Sequence, residues 1–292
     1  MKGDEKLWAL LNDKLDMLRG TGQLPEAVRI AETAVDLARR AFPPEHPGYA
    51  LSLEKLGQLH DQGGDPAAAK APLIEAHQLL ETARARDEPA VYRSARRLAF
   101  LCENIEETDA AVTYYEQAIR VGMELGDVPY SELGTMLNNI ALLYRSSGRQ
   151  KEAEPFYLHA LEVYEKQLGP EHADVASVLN NLAVFYTNER RFAEAEKIHL
   201  RALDLREKLL PPTHSDIAQS KCNLAVVYHS RGDYARASEL YKASMHTWEE
   251  TASKPPADYE IVASNYADLL RALGKARQAS QIEERAKTRR RA

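Results

Sequence analysis

Taken in steps of 42 residues from Ala27, the chain presents Ala69, Ala111, Ala153, Ala195, Ala237 and Ala279, the same small residue at all seven stops. Seven residues beyond each stop stand Ala34, Ala76, Ala118, Ala160, Ala202, Ser244 and Ala286. Twelve residues before it stand Leu15, Gly57, Ala99, Ala141, Ala183, Ala225 and Ala267. Five residues before it glycine recurs at Gly22, Gly64, Gly148, Gly232 and Gly274, with Glu106 and Arg190 as exceptions. A register held across 292 residues means one supersecondary unit used seven times. Each unit is too small to bury its own apolar face and must stack on the next.

Within a unit, two apolar stripes at helical spacing are parted by the glycine-marked turn. In the fifth unit Leu179, Leu182, Ala183 and Tyr186 fall at i, i+3, i+4 and i+7. Beyond the turn Ala195, Ile198, His199, Ala202 and Leu203 resume the stripe, with His199 its one polar member. Tyr144, Tyr186 and Tyr228 read as core, and Trp8 and Trp248 as cover for apolar surface. Small side chains let paired helices approach to about 8–10 Å, and glycine supplies the left-handed turn conformation cheaply. The chain therefore reads as all-α, a single solenoid of seven helix-turn-helix repeats. They span about 5–46, 47–88, 89–130, 131–172, 173–214, 215–256 and 257–292.

Punctuation follows the same period. Pro25 and Pro66 fall near the starts of second helices, where a missing N–H costs little. Pro72 and Pro155 sit deeper, and local kinks are expected there. The linkers FPPEHP (42–47), LGPEHA (168–173) and LPPTHS (210–215) each use proline to end one helix. A short polar residue such as Ser215 can cap the next. His46, His172 and His214 recur in these linkers as repeat features at helix ends. The last repeat places Glu283 and Lys287 where earlier ones have residues such as Tyr241 and Leu203. That is the polar outer face expected of a capping repeat, so the array is expected to end within this chain.

Composition narrows the function class. A net charge of −6 argues against bulk nucleic-acid binding, which needs a concentrated basic face. The one basic run, KTRRRA at the C-terminal end, suits either a helix terminus or an acidic partner surface. Cys102 and Cys222 lie far apart with no CxxC spacing, as expected for buried thiols in a reducing compartment. The first residues, with acids among short apolar runs, are unlike a signal peptide. No stretch reaches the roughly 20 apolar residues of a membrane span. A cytoplasmic protein without membrane contact is expected. No HExxH, paired Cys/His spacing, P-loop or GxSxG occurs, so neither metal nor cofactor nor catalysis is expected.

Small residues at the eighth, twentieth and twenty-seventh positions of a helix-turn-helix unit, with tyrosine at the eleventh, resemble the tetratricopeptide repeat. The usual unit is about 34 residues, whereas this one is 42, with longer helices and a proline linker, and the stretch NNLAVFY…AEAEKIHLRALDLREKLLPPTHSD is similar to the kinesin light chain type. The resemblance covers the whole chain and is strongest in repeats 4–6. It implies a right-handed superhelix whose concave groove binds cargo peptides, a noncatalytic adaptor. Kinesin light chains also carry an N-terminal heptad coiled coil that joins the motor heavy chain, and this sequence has none. Free-standing bacterial proteins of this type include ones associated with bacterial tubulins. A tubulin-like filament is therefore the alternative partner to a peptide, and a cryptic enzyme, its site assembled without a recognisable motif, is the third reading.

Around the first helix of each repeat, at about 100° per residue, the core stripe takes the fourth, seventh, eighth and eleventh positions. The sixth lies well off it, beside the second, ninth and thirteenth. In repeats 4–7 the sixth position is Asn139, Asn181, Asn223 and Asn265. In repeats 2 and 3 it is Lys55 and Arg97, joined by Arg93 at the second position and Arg96 at the fifth. Asparagine is a mediocre helix former, so four in register want a reason. Each amide offers an acceptor and two donors that match an extended peptide backbone. Lys55, Arg93, Arg96 and Arg97 form a basic patch, which in the resembling family favours acidic peptides. A second reading stays open: the asparagines bond across to the neighbouring repeat, and the arginines are a solvated helix face diluted by Glu54, Asp61 and Glu103.

Overall fold

The computed structural model describes residues 3–43, 46–84, 86–251 and 258–291, and over these the protein is all α, with fourteen helices and no strand. The chain divides into two compact units, Met1–Arg149 and Gln150–Ala292. The first holds α1 (Gly3–Gly20), α2 (Leu24–Ala41), α3 (Pro47–Gln62), α4 (Pro66–Thr82), α5 (Glu88–Asn104), α6 (Thr108–Leu125) and α7 (Tyr130–Ser146). The second holds α8 (Gln150–Leu168), α9 (Ala173–Asn188), α10 (Phe192–Leu209), α11 (Ser215–Ser230), α12 (Tyr234–Thr251), α13 (Asp258–Ala272) and α14 (Ala276–Arg291). Within each unit every helix packs on the one before it, so the sequence repeat is a structural repeat.

The alanine register is the packing seam. All seven alanines from Ala27 to Ala279 are completely buried, as are most of the small residues seven positions on and twelve before. The exceptions to small size are compensated locally. Leu15 and Ala31 share one cluster in the first repeat, whereas in the second Gly57 faces Leu73, and a methyl group on Gly57 would lie 2.4 Å from Leu73 Cγ. Ser244, which replaces alanine, is buried and donates its hydroxyl to the Ala218 carbonyl at 2.7 Å. The polar atom is thereby satisfied rather than stranded.

The turns are alike at all seven sites, including the two without glycine. Gly22, Gly64, Glu106, Gly148, Arg190, Gly232 and Gly274 all have positive φ, with Glu106 at 61° and Arg190 at 58°. The following N–H reaches five residues back, as in Gln23 to Leu18 (3.0 Å), Glu107 to Cys102 (2.9 Å) and Arg191 to Tyr186 (2.9 Å). This bond satisfies carbonyls that the helix end leaves open. Holding an L-residue left-handed costs about 1–2 kcal/mol, so the packing of both helices imposes the turn on Glu106 and Arg190.

Helix starts require one correction. Ser215 is the first residue of α11, and its cap is His214, whose Nδ1 accepts from Asp216 N at 3.1 Å. His172 caps α9 in the same way at 3.2 Å, and His46 caps α3 at 3.0 Å. The imidazole reaches the second helical N–H from an extended backbone, so the linker histidines take the place of the usual short polar cap. Pro25 and Pro66 sit in the first turns of α2 and α4. Pro72 and Pro155 lie inside α4 and α8, and both helices continue through them.

Trp8 packs edge-on against Phe42 with ring centroids 5.6 Å apart, and its indole N–H donates to Ser52 at 2.8 Å. Trp248 is buried in the core of the second unit. Tyr144, Tyr186 and Tyr228 are buried in the stripe where the sequence places them. In α14, Glu283 receives both oxygens' bonds from Arg271 at 2.7 Å, and Lys287 is exposed. Of the KTRRRA run, Ala292 and the side chains of Arg290 and Arg291 lie outside the described residues, as do Pro44 and Glu45 of the first linker. No helix among the described residues is long and apolar enough to cross a membrane.

Candidate functional site

Asp87 caps α5 by accepting from Ala90 N at 3.1 Å. From there Val91, Ala95, Leu98 and Cys102 face the core. On the other side Arg93, Arg96, Arg97 and Phe100, again at i, i+3, i+4 and i+7, are exposed. This second stripe forms one wall of a cleft of about 580 Å³ in the first unit. The opposite wall comes from α7 through Ser131, Glu132, Thr135, Met136 and Asn139, with Asp61 of α3 and Tyr115 of α6 completing the lining. The volume lies in the range of ordinary ligand sites, about 300–1,000 Å³.

The cleft's polar groups are already organised. Glu132, in the first turn of α7, accepts from Tyr92 Oη at 2.7 Å and pairs with the Arg96 guanidinium. Arg96 also stands over the Tyr92 ring, 5.7 Å from its centroid. Burial, reinforced by the bond to Glu132, pushes the Tyr92 phenol up to about 12. Tyr115 donates to Glu103 at 2.5 Å and accepts from Asn139 Nδ2 at 3.2 Å. Burial followed by the Glu103 bond raises the Tyr115 phenol far above its ordinary value. Beside the arginines, the Glu54 carboxyl is raised by burial, against the opposing pull of Arg97 and Arg93.

Four of the eight residues singled out from the sequence meet here: Arg93, Arg96, Arg97 and Asn139. Lys55 does not line the cleft. Its ammonium lies 3.0 Å from Asp16 of α1, with 15% of the side chain exposed, and it ties α3 to α1. The other three asparagines belong to the second unit. Asn223 on α11 donates to the Asn180 amide oxygen of α9 at 2.9 Å, and Asn265 on α13 bonds the Cys222 thiol of α11. In both, the sixth position of one repeat reaches back to the fifth position of the repeat before it. Asn181 is half-buried on α9. For Asn223 and Asn265 the geometry matches the cross-repeat reading, and a guest peptide would compete with that bond for the amide.

Sequence reasoning passed over Phe100 and Met136, the apolar part of the lining. Phe100 occupies the ninth position of its helix, on the strip already marked by the second and sixth, and was legible there. Met136 belongs to the buried stripe of α7, with Leu133, Leu137 and Ile140 at helical spacing, and was legible as core rather than as lining, whereas Glu132 lies off that stripe and carries no periodic signal. Neither cysteine is an activated nucleophile. Both are buried, and burial holds the Cys102 thiol above its ordinary value and pushes that of Cys222 up to about 12. Among the described residues no group of three or more His, Cys, Asp or Glu is placed to hold a metal ion.

The family model for the tetratricopeptide repeat matches residues 9–82, 89–166, 132–187 and 174–250. Comparison with curated proteins finds no match. Among solved structures, the chain is similar to BtubC (BKLC) from P. vanneervenii at 24% identity, over 88% of this chain and 95% of that one, with a TM-score of 0.60. It is similar to the apo form of the quorum sensor NprR from B. thuringiensis at 17% identity, over 98% and 76% of the two chains, with a TM-score of 0.61. A Podosopora anserina protein of kinesin light chain type, with nearly identical TPR-like repeats, is similar at 20% identity over 72% and 98%, with a TM-score of 0.55. At these identities the likeness is one of fold, and it includes kinesin light chain-like arrays. With most of its length matched by the family model and its helices paired at that period, the chain belongs to the tetratricopeptide repeat family.

Proposed function

We propose that this protein is a noncatalytic interaction scaffold that holds an acidic peptide or protein segment in the cleft between α5 and α7. One observation carries the reading: a single helix face delivers Arg93, Arg96, Arg97 and the 56%-exposed Phe100 into one concavity, opposite Met136 and Asn139. The arginines supply carboxylate recognition, and the exposed Phe100 ring supplies apolar area at about 25 cal/mol per Å² removed from water, with the buried Met136 as part of the cleft floor. Individual terms are small, about 1 kcal/mol for a hydrogen bond and about 0–1 kcal/mol for an exposed ion pair. Affinity is therefore collective and spread along the ligand.

Fluorescence anisotropy with a labelled hexaglutamate peptide tests this. The double variant Arg93→Ala, Arg97→Ala is expected to weaken binding at least tenfold, with the melting temperature nearly unchanged because both side chains are exposed. Equal affinity for the variant and the native chain would remove the cleft from consideration. A second reading is a free-standing bacterial kinesin light chain that contacts a tubulin-like filament. The repeats' resemblance motivates it, and the likeness to BtubC (BKLC) supports it at the level of fold. Cosedimentation with bacterial tubulin filaments separates the two, and a clean negative eliminates the second.

A further inference from the structure

The Arg96–Glu132 pair joins α5 to α7, and both partners line the cleft. Arg96 is aligned by stacking on Tyr92, and Tyr92 in turn donates to the same carboxylate oxygen that receives Arg96. Those are the contacts a carboxylate arriving from outside would make. A phenol and a guanidinium converge on one oxygen, in a concavity flanked by two further arginines.

The pair is also easily broken. Its side chains are 48% and 38% exposed, so water screens the attraction on both sides. Such pairs add little to stability, and their opening costs correspondingly little. Nearby acids limit where a ligand's charge can go. Glu54 acts on Arg93 and Arg97, and Asp61 lines the same cleft, so the three arginines stand among three carboxylates of the protein's own. An acidic ligand gains affinity here by exchange, with one carboxylate replacing another.

Resting on the peptide-binding reading above, we infer that Glu132 is an internal substitute for the ligand's carboxylate. It occupies Tyr92 and Arg96 in the empty cleft and is displaced into solvent when an acidic segment binds. It thereby sets how strongly negative a segment must be before it enters. A neutral segment cannot repay the loss of the Glu132 bonds, whereas an acidic one restores them with its own oxygens.

The test uses the full chain and two labelled probes, hexaglutamate and hexaglutamine. Glu132→Gln is expected to bind hexaglutamate about three- to fivefold more tightly than the native chain, the range released by freeing an exposed ion pair. That gain is expected to vanish in an Arg96→Gln background. It is also expected to be absent from Glu124→Gln, which removes an equal charge from an exposed acid on α6 outside the cleft lining. Hexaglutamine suffers the same loss of the Glu132 bonds on entering the native cleft, so its affinity is expected to rise in Glu132→Gln as well, and an unchanged hexaglutamine affinity would overturn the idea that Glu132 sets the charge required for entry. If the native chain binds hexaglutamate and Glu132→Gln is no tighter, the substitution idea falls while the cleft stands. An equal gain from Glu124→Gln likewise overturns it, since net charge then accounts for the effect. If neither chain binds hexaglutamate, the cleft reading and this inference fall together.

Discussion

Acidification offers a sharp test of the core, because one fully buried side chain is an imidazole. His199 on α10 occupies the place held by Tyr115, Tyr157 and Tyr241 in other repeats, and it has no exposed surface. Its Nε2 lies 3.4 Å from Thr187 Oγ1, and its Nδ1 has no hydrogen-bond partner among the described residues. Burial, assisted by the positive charge of Arg206 two turns along the same face, lowers its pKa to about 4. In the unfolded chain the ring titrates near 6.5. Between those values the unfolded state binds a proton that the folded state refuses. Stability is therefore fully present above about pH 6.5, is lost as pH falls, and levels off below about 4. The gap corresponds to roughly 3 kcal/mol, at about 1.4 kcal/mol per pH unit. The ring of His77, buried between Ser94 and Gln117, is also lowered by burial and adds loss in the same direction. Urea unfolding followed by far-ultraviolet circular dichroism at pH 7 and pH 4 measures the loss in the native chain and in His199→Tyr. Carboxylates titrate in both, so the difference between the two losses isolates the ring. The variant is expected to lose about 2–3 kcal/mol less. Equal losses would refute the assignment of a neutral, desolvated His199.

Other perturbations follow from the repeat geometry. Arg190→Gly relieves a left-handed arginine whose side chain is exposed and is expected to raise unfolding free energy by about 1 kcal/mol; a lower melting temperature would contradict the strain argument. Gly57→Ala is expected to lose about 1–3 kcal/mol through overpacking against Leu73. Because the first repeat uses Leu15 with Ala31, Gly57→Leu combined with Leu73→Ala is expected to be more stable than Gly57→Leu alone in thermal melts. Asn223→Ala removes the donor to the buried Asn180 and is expected to cost about 1–2 kcal/mol without altering hexaglutamate affinity, in urea titrations paired with anisotropy.

The repeat, its helix pairs and its turns are legible in the sequence because each depends on side-chain size at a fixed phase. Even Glu106 and Arg190, which break the glycine rule, obey the phase, since packing on both sides leaves the turn no other conformation. Capping was harder to read. His214 rather than Ser215 closes α11 because an extended residue one position earlier can place an imidazole lone pair on the second N–H. The sixth-position residues look equivalent on a helical wheel yet have different fates. Asp16 of the preceding repeat captures Lys55, Asn180 receives Asn223, and Arg97 is left facing the cleft. Those outcomes depend on the neighbouring repeat's residue at one spot, which a single-helix projection does not contain. Glu132 becomes a cleft residue only through the docking of α7 on α6, so no local pattern announces it, and Met136 reads locally as core.

Photocrosslinking addresses the binding claim most directly. A benzophenone side chain placed at Phe100 puts a reactive group inside the cleft, and the same group at Leu200, 46% exposed on α10, puts one on the other unit. Illumination with an acidic peptide is expected to give an adduct at position 100, suppressed by excess unlabelled peptide, and none at position 200. Adducts at both positions alike, or at 200 alone, would mean that the acidic segment is held somewhere other than between α5 and α7.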